Sequence, residues 1–195
     1  MSAPDGVRII PLRAEDREVV RQAAELLVEG FRADWPDAWP RIEDALAELA
    51  TFATDDERVA WAAVDAEGRV AGWIGAIRMY GGNVWELHPI VVHPGHRGRG
   101  MGRALVEFLA DAAREAGAFT LWVGSDDEAG MTSLGGVDLY PGLLDHLRDI
   151  RNLRQHPFGF YQRLGFEIAG VVPDANGFGK PDILLARRLR GPADG

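Results

Sequence analysis

The sequence contains no cysteine. Disulfides, thiolate nucleophiles and thiolate metal ligands are thereby excluded, and nothing points to an oxidising compartment. Lysine is almost absent as well. Lys180 stands alone among 21 basic residues, so arginine abundance means little here and only its clustering is informative. No apolar run approaches the ~18–20 residues of a membrane-spanning helix. The opening Met1-Ser2-Ala3-Pro4-Asp5-Gly6 has neither the basic segment nor the apolar core of a secretory signal, which predicts a cytoplasmic protein. An excess of positive charge is also missing. The formal net charge of −9 argues against general nucleic-acid binding, which needs Lys and Arg to neutralise phosphates. The same acidity suits a cationic partner.

What is present is ordinary for a globular chain: 195 residues, 47% apolar and 26% charged. This predicts a single domain over residues 1–190 with a disordered tail at 191–195. Period-2 alternation predicts strands at Val7–Arg13, Val59–Val64, Val70–Met79 and Val84–Val92, with a hairpin turn at Asp65-Ala66-Glu67-Gly68. Apolar residues at helical spacing predict helices over Ala14–Arg32 and Arg41–Phe52, separated by the Pro36 and Pro40 breaks. A third helix follows at Gly102–Ala116, stopped by Gly117. The remainder reads as a strand at Phe119–Val123, short helices at Leu143–Leu153 and Pro157–Leu164, and strands at Phe166–Val172 and Ile183–Leu189. Hairpins followed by one strand–loop–helix–strand crossover predict a mixed sheet with helices on its faces, in the α/β (α+β) range.

Two segments carry candidate chemistry. Residues 95–103 read Gly-His-Arg-Gly-Arg-Gly-Met-Gly-Arg, between a strand and a helix. Backbone N–H groups at such a helix start can hold an anion. A Walker A loop is excluded because no lysine is present, and a dinucleotide Gly-x-Gly-x-x-Gly from Gly98 would need glycine at Arg103. The dinucleotide reading stays open as a runner-up, with Asp126 after the next strand as its acidic residue; Arg97-x-x-Gly100-x-Gly102 is a third candidate anion grip, and a solvated basic turn is the bland alternative. On the preceding strand, Val84–Val92, Glu86 and His88 share one face and Trp85 and Leu87 the other. A carboxylate and an imidazole on one face can accept a proton from an ammonium group. Pro89 cannot donate to the ladder, which predicts a bulge exposing backbone N–H groups to a thioester carbonyl. His88, His93 and His96 lack the spacing of a zinc site, so no metal is expected.

Together these segments resemble the GNAT acetyltransferases, and within them the aminoglycoside 6′-N-acetyltransferases of the Enterococcus chromosomal type. The resemblance spans about Arg58 to Arg188. It rests on Gly75-Ala76-Ile77, Trp85-Glu86-Leu87-His88-Pro89, Gly124-Ser125-Asp126-Asp127, His156–Phe166, Val172–Gly177 and Lys180-Pro181-Asp182. It implies a mostly antiparallel central sheet flanked by helices, and acetyl transfer from acetyl-CoA to a primary amine in a ternary complex. Under that resemblance Glu86 is the general base with His88 in support, and Tyr161 lies near the thioester sulfur as proton donor. Ile90, Val91 and Val92 would contact the acetyl group and pantetheine arm. Arg97, Gly98, Arg99, Gly100, Met101, Gly102 and Arg103 would hold the pyrophosphate, with Asn152 also near the cofactor. Trp35, Asp37, Tyr80, Glu86, Asp126 and Asp127 would line the amine side, where carboxylates meet ammoniums and flat rings meet sugar faces. A homodimer is also implied. Other acceptors (a polyamine, a small metabolite amine or a protein) and a CoA-binding module without turnover stay open as alternatives.

Overall fold

The computed structural model describes residue 4 and residues 6–191. Residues 192–195 of the expected tail lie outside the described residues. Packing groups the chain into two compact units, Met1–Phe119 and Thr120–Gly195.

In the first unit, β1 (Arg8–Pro11), β2 (Arg58–Val64), β3 (Val70–Met79) and β4 (Val84–Val92) pair antiparallel in that order. The β2–β3 hairpin closes where expected. Asp65 holds its turn by accepting from Glu67 N at 3.0 Å, Arg69 N at 2.8 Å and Arg69 Nε at 2.8 Å. Helices α1 (Arg17–Phe31) and α2 (Ile42–Thr54) bury Ala23, Ala24, Leu26, Leu27, Ala45 and Leu49 in a core that includes Trp73. The Trp73 indole satisfies its one donor on Ala23 O at 3.1 Å, so a large ring is buried without a lost hydrogen bond. Helix α3 (Met101–Glu115) turns Met101, Ala104, Leu105, Leu109 and Ala113 inward at i, i+3, i+4 spacing.

Strand β4 alternates half-buried and buried residues along its whole length; Trp85 and Leu87 pair with Arg78 and Ala76 on one face, while Val91, beyond the bulge, pairs with Trp73 on the other. The expected interruption is there. The register passes from Ile74↔Ile90 to Ala76↔Leu87, so Gly75 alone opposes both His88 and Pro89, which are joined by a cis peptide bond. Glycine is required opposite this bulge. A Cβ on Gly75 would lie 2.5 Å from His88 O and 2.6 Å from Phe52 Cζ.

In the second unit, β5 (Thr120–Asp126), β7 (Asp182–Arg188) and β6 (Glu167–Val172) pair antiparallel in the order β5-β7-β6. The helix expected over Leu143–Leu153 is shorter than its periodicity suggested, α4 ending at Arg148. Its last part is recruited into pairing instead. Asn152 bridges Thr132, Ser133 N donates to Arg151 O at 3.0 Å, and Leu153 N donates to Met131 O at 2.9 Å. Helix α5 spans Phe158–Gln162. Each strand pair described within the units is antiparallel, and helices flank the strands as expected of an α/β (α+β) fold.

Candidate active site

In the first unit the site begins on the face of β4 that α2 covers. Glu86 and His88 are both half-buried there, on the face opposite Trp85 and Leu87, as their parity requires. Helix α2 lies against this face and supplies a residue that sequence pattern did not single out. Glu48 Oε1 is 3.0 Å from Arg58 Nη1 and 3.6 Å from His88 Nε2. Arg58 is fixed in turn by Thr51 Oγ1 at 3.1 Å and Asp55 Oδ2 at 3.6 Å.

The two carboxylates of this cluster have opposite environments. His88 first, and Arg58 after it, hold the Glu48 carboxyl below its ordinary range against the cost of burial. Loss of solvent pushes the Glu86 carboxyl up, and attraction to His88 and Arg58 offsets only part of that. Glu86 accepts no hydrogen bond among the described residues, whereas Glu48 is engaged. A pair of carboxyls driven apart in this way divides into an ion-pair member and a proton acceptor.

The loop after β4 offers an anion grip. The strand ends in a short turn, Pro94–His96, and His93 Nδ1 accepts from Gly95 N at 3.1 Å. Arg97 is not a free side chain, because its Nε donates to Val92 O at 3.0 Å and ties the loop back to the strand. Gly98 and Gly100 have φ of +72° and +87°, with no atom within 4 Å of where a Cβ would sit. That left-handed geometry suits glycine and turns the chain into α3, with Gly100 as its N-cap. From Gly98 to Arg103, six consecutive N–H groups meet no backbone acceptor among the described residues; the first helical bond is Ala104 N to Gly100 O at 2.9 Å. Unpaired donors at a 15-residue helix start, flanked by Arg99 and Arg103, fit a pyrophosphate well. Ile90, Val91 and Val92 pair with Ile74, Trp73 and Gly72, and Val91 is buried in the core.

In the second unit His156 organises the predicted residues. It is 2% exposed. Its Nδ1 accepts from Phe158 N at 3.2 Å, which leaves Nε2 protonated and facing Asp126 O at 3.1 Å. Burial pushes its imidazole below the ordinary range and keeps it neutral. His156 therefore ties the end of β5 to the start of α5, which explains why the His-Pro dipeptide precedes that helix. Asn152 joins the same knot, donating Nδ2 to His156 O and accepting from His156 N, both at 2.8 Å. Its amide is a loop clamp first, with one proton and one lone pair left for any ligand.

Asp126 is half-exposed and receives a hydrogen bond from Asn176 Nδ2, which orients its carboxylate. Asp127, expected beside it on the amine side, is a correction. It is 1% exposed and accepts from Met131 N, from Thr132 N at 2.9 Å and from Thr132 Oγ1 at 2.7 Å, so it anchors the following loop. The alternation of β5 continues one residue past its end, so Asp127 turns inward where Asp126 does not. Tyr161 is buried, packed edge-on against Phe160 and Phe166 at 5.2 and 5.6 Å between centroids. Loss of solvent drives its phenol far above the ordinary range, so it stays protonated.

Of the remaining predicted residues, Tyr80 is 75% exposed at a turn with φ +52°, and Asp37 is exposed between α1 and α2. Trp35 rests on Phe31 at 5.6 Å between centroids, while Trp39 sits 4.7 Å from Phe31 and 6.0 Å from the His88 ring. Trp39 is thus the tryptophan that flanks His88, and nothing in the local pattern distinguishes the two. Among the described residues no group of three or more His, Asp and Glu is arranged to hold a metal ion.

Residues 21–132 match the acetyltransferase (GNAT) family. The chain is similar to a crystal structure of an aminoglycoside 6′-N-acetyltransferase complexed with coenzyme A, at 35% identity and a TM-score of 0.83, over 94% of this chain and 98% of that one. The aminoglycoside 6′-N-acetyltransferase from Enterococcus faecium is 36% identical with a TM-score of 0.82, again over 94% and 98% of the two chains. Streptothricin acetyltransferase of Streptomyces lavendulae is 39% identical over 117 residues, 60% of this chain. That match spans about half of the relative's length, 49%.

Proposed function

The chain belongs to the GNAT acetyltransferase family, and from this premise we propose that it transfers the acetyl group of acetyl-CoA to a primary amine, the 6′-amino group of an aminoglycoside. The observation that carries the reading is the make-up of the first unit. One strand presents a half-buried Glu86 with a raised carboxyl pKa, and the loop that ends this strand presents six consecutive N–H groups that meet no backbone acceptor among the described residues.

Acetyl-CoA, when bound, supplies the thioester carbonyl that the amine nitrogen attacks. Glu86 takes the proton that the ammonium must lose before its nitrogen has a lone pair. A carboxylate raised toward neutral pH is a better acceptor for this than a solvated one. The N–H groups of Gly98 to Arg103 hold the pyrophosphate, and the Arg99 and Arg103 guanidiniums neutralise it. Tyr161, kept neutral by burial, donates a hydrogen bond to the departing sulfur. Its phenol is a weaker acid than an ordinary thiol of pKa ~8.5, so it stabilises the thiolate more than it protonates it outright. For a polycationic sugar the first unit offers the exposed Tyr80 ring and Asp37 carboxylate, and the second offers Asp126, aimed by Asn176. The proposal includes the homodimer that the family resemblance implies.

A second reading keeps the chemistry and changes the amine, favoured by the likeness to Streptothricin acetyltransferase. One experiment separates the two: CoA-release kinetics across 6′-amino aminoglycosides, streptothricin, polyamines and peptide N-termini. Turnover confined to the aminoglycosides supports the first reading. Turnover of streptothricin or a polyamine alone replaces it, and acetyl-CoA binding without any transfer leaves a binding module.

A further inference from the structure

Helix α2 carries Glu48, Thr51 and Phe52 at i, i+3 and i+4 on one face, and Asp55 follows as its C-terminal cap residue. Three of these hold the Arg58 guanidinium: Glu48 at 3.0 Å, Thr51 Oγ1 at 3.1 Å and Asp55 at 3.6 Å. The Arg58 guanidinium also lies over the Phe52 ring, 5.5 Å from its centroid. Arg58 is therefore satisfied several times over, and Glu48 is not needed for that alone. The same Glu48 oxygen that meets Arg58 also faces His88 Nε2 at 3.6 Å, and Trp39 closes the other side of the imidazole at 6.0 Å between centroids. The side chains of Glu48 and Arg58 are 17% and 22% exposed, so the pair is shielded enough for its charge to matter.

We propose that Glu48 is a positioning residue for the acetyl transfer, acting through His88. Its carboxylate, fixed by Arg58, holds the His88 imidazole with the proton on Nε2 and the ring wedged against Trp39. This is the arrangement by which a carboxylate selects one tautomer and one ring orientation of a working histidine. The lone pair is then on Nδ1, and the imidazole shares the β4 face with Glu86, where the amine gives up its proton. Glu86 and Arg58 are the other charged groups on that face; Glu86 feels the attraction of His88, but the carboxylate at 3.6 Å from its Nε2 is that of Glu48. The proposal deepens the acetyltransferase reading and rests on it.

The test combines kinetics with a direct view of the imidazole. Ala is a good helix former and Arg58 keeps Thr51 and Asp55, so Glu48→Ala is expected to fold. Its kcat should fall about tenfold with the KM for acetyl-CoA unchanged. In a His88→Ala background the same change should cost less than about twofold, because its route of action is gone. Glu48→Gln keeps an acceptor oxygen and should recover part of the loss. Nitrogen-15 spectra of the histidines should show a protonated Nε2 on His88 in the wild-type protein and a tautomer mixture in Glu48→Ala. Equal losses in both backgrounds, or a His88 tautomer indifferent to Glu48→Ala, overturn the proposal. If the wild-type protein acetylates no amine, the functional reading falls, while the imidazole spectra still decide whether Glu48 sets the tautomer.

Discussion

The bulge that separates His88 from its neighbours on β3 depends on one missing methyl group. In Gly75→Ala the new Cβ would sit 2.5 Å from His88 O, a backbone atom that cannot swing aside as the Phe52 ring can. Restoring ~3.4 Å requires the two strands to move by about 0.9 Å at the bulge. Overpacking of this kind costs about 1–3 kcal/mol. A chain of this length loses ~2–4 °C of Tm per kcal/mol, so the expected drop is about 2–12 °C. The loss of activity should be larger than the loss of stability. His88 moves with its own carbonyl and Glu86 lies two residues before it, and a displacement approaching ~1 Å in a reacting constellation costs up to ~100-fold. The assay is CoA release at saturating acetyl-CoA, alongside thermal unfolding. Gly170→Ala is the control, since its Cβ would meet only Leu184 atoms at 3.6 and 4.0 Å. It should stay within about 0.5 kcal/mol of the wild type. A Gly75→Ala protein with wild-type kcat and Tm would refute the argument that close approach at this position shapes the site.

Other consequences can be checked with the same two assays. Glu86→Gln should remove most of the turnover. The folded Glu86 pKa lies above its unfolded value, so its ionisation weakens folding as pH rises through that range; the variant should therefore match the wild type near pH 4 and exceed its Tm at pH 7. The acid limb of wild-type kcat/KM should lie above the ordinary carboxylate range for the same reason. Asp127→Ala leaves Met131 N, Thr132 N and Thr132 Oγ1 without their buried acceptor, at a cost of about 3–5 kcal/mol, read as a fall in Tm of ~6–20 °C. Tyr161→Phe keeps the aromatic packing and should lower kcat about tenfold while leaving both substrate KM values near wild type. Gly100→Ala forces a side chain into φ +87° at a cost of about 1–3 kcal/mol, read as a fall in Tm of ~2–12 °C, and calorimetry should show CoA binding weakened about tenfold.

By itself, the sequence determined the local and periodic features. Alternation placed Glu86 and His88 on one face of a strand, and Pro89 announced the bulge, because both follow from the two-residue repeat and from proline's missing N–H. The element order, the hairpin at Asp65 and the glycine loop at the start of α3 were legible for the same reason. Each depends on residues close together in the chain. The resemblance to the acetyltransferases supplied Tyr161, which no spacing would have chosen. Only the tertiary structure decided which distant side chains meet. Glu48 is 40 residues from His88, and nothing in an amphipathic helix says which of its carboxylates will face an imidazole. Burial decided the rest: Asp126 and Asp127 are adjacent and chemically identical, yet one stays half-exposed and the other disappears into a loop it holds together. Trp35 and Trp39 are both half-buried and part by contact instead, Trp39 being the one beside the His88 ring. Solvent removal is a property of the packed molecule, and it separates the roles of residues that the sequence writes alike.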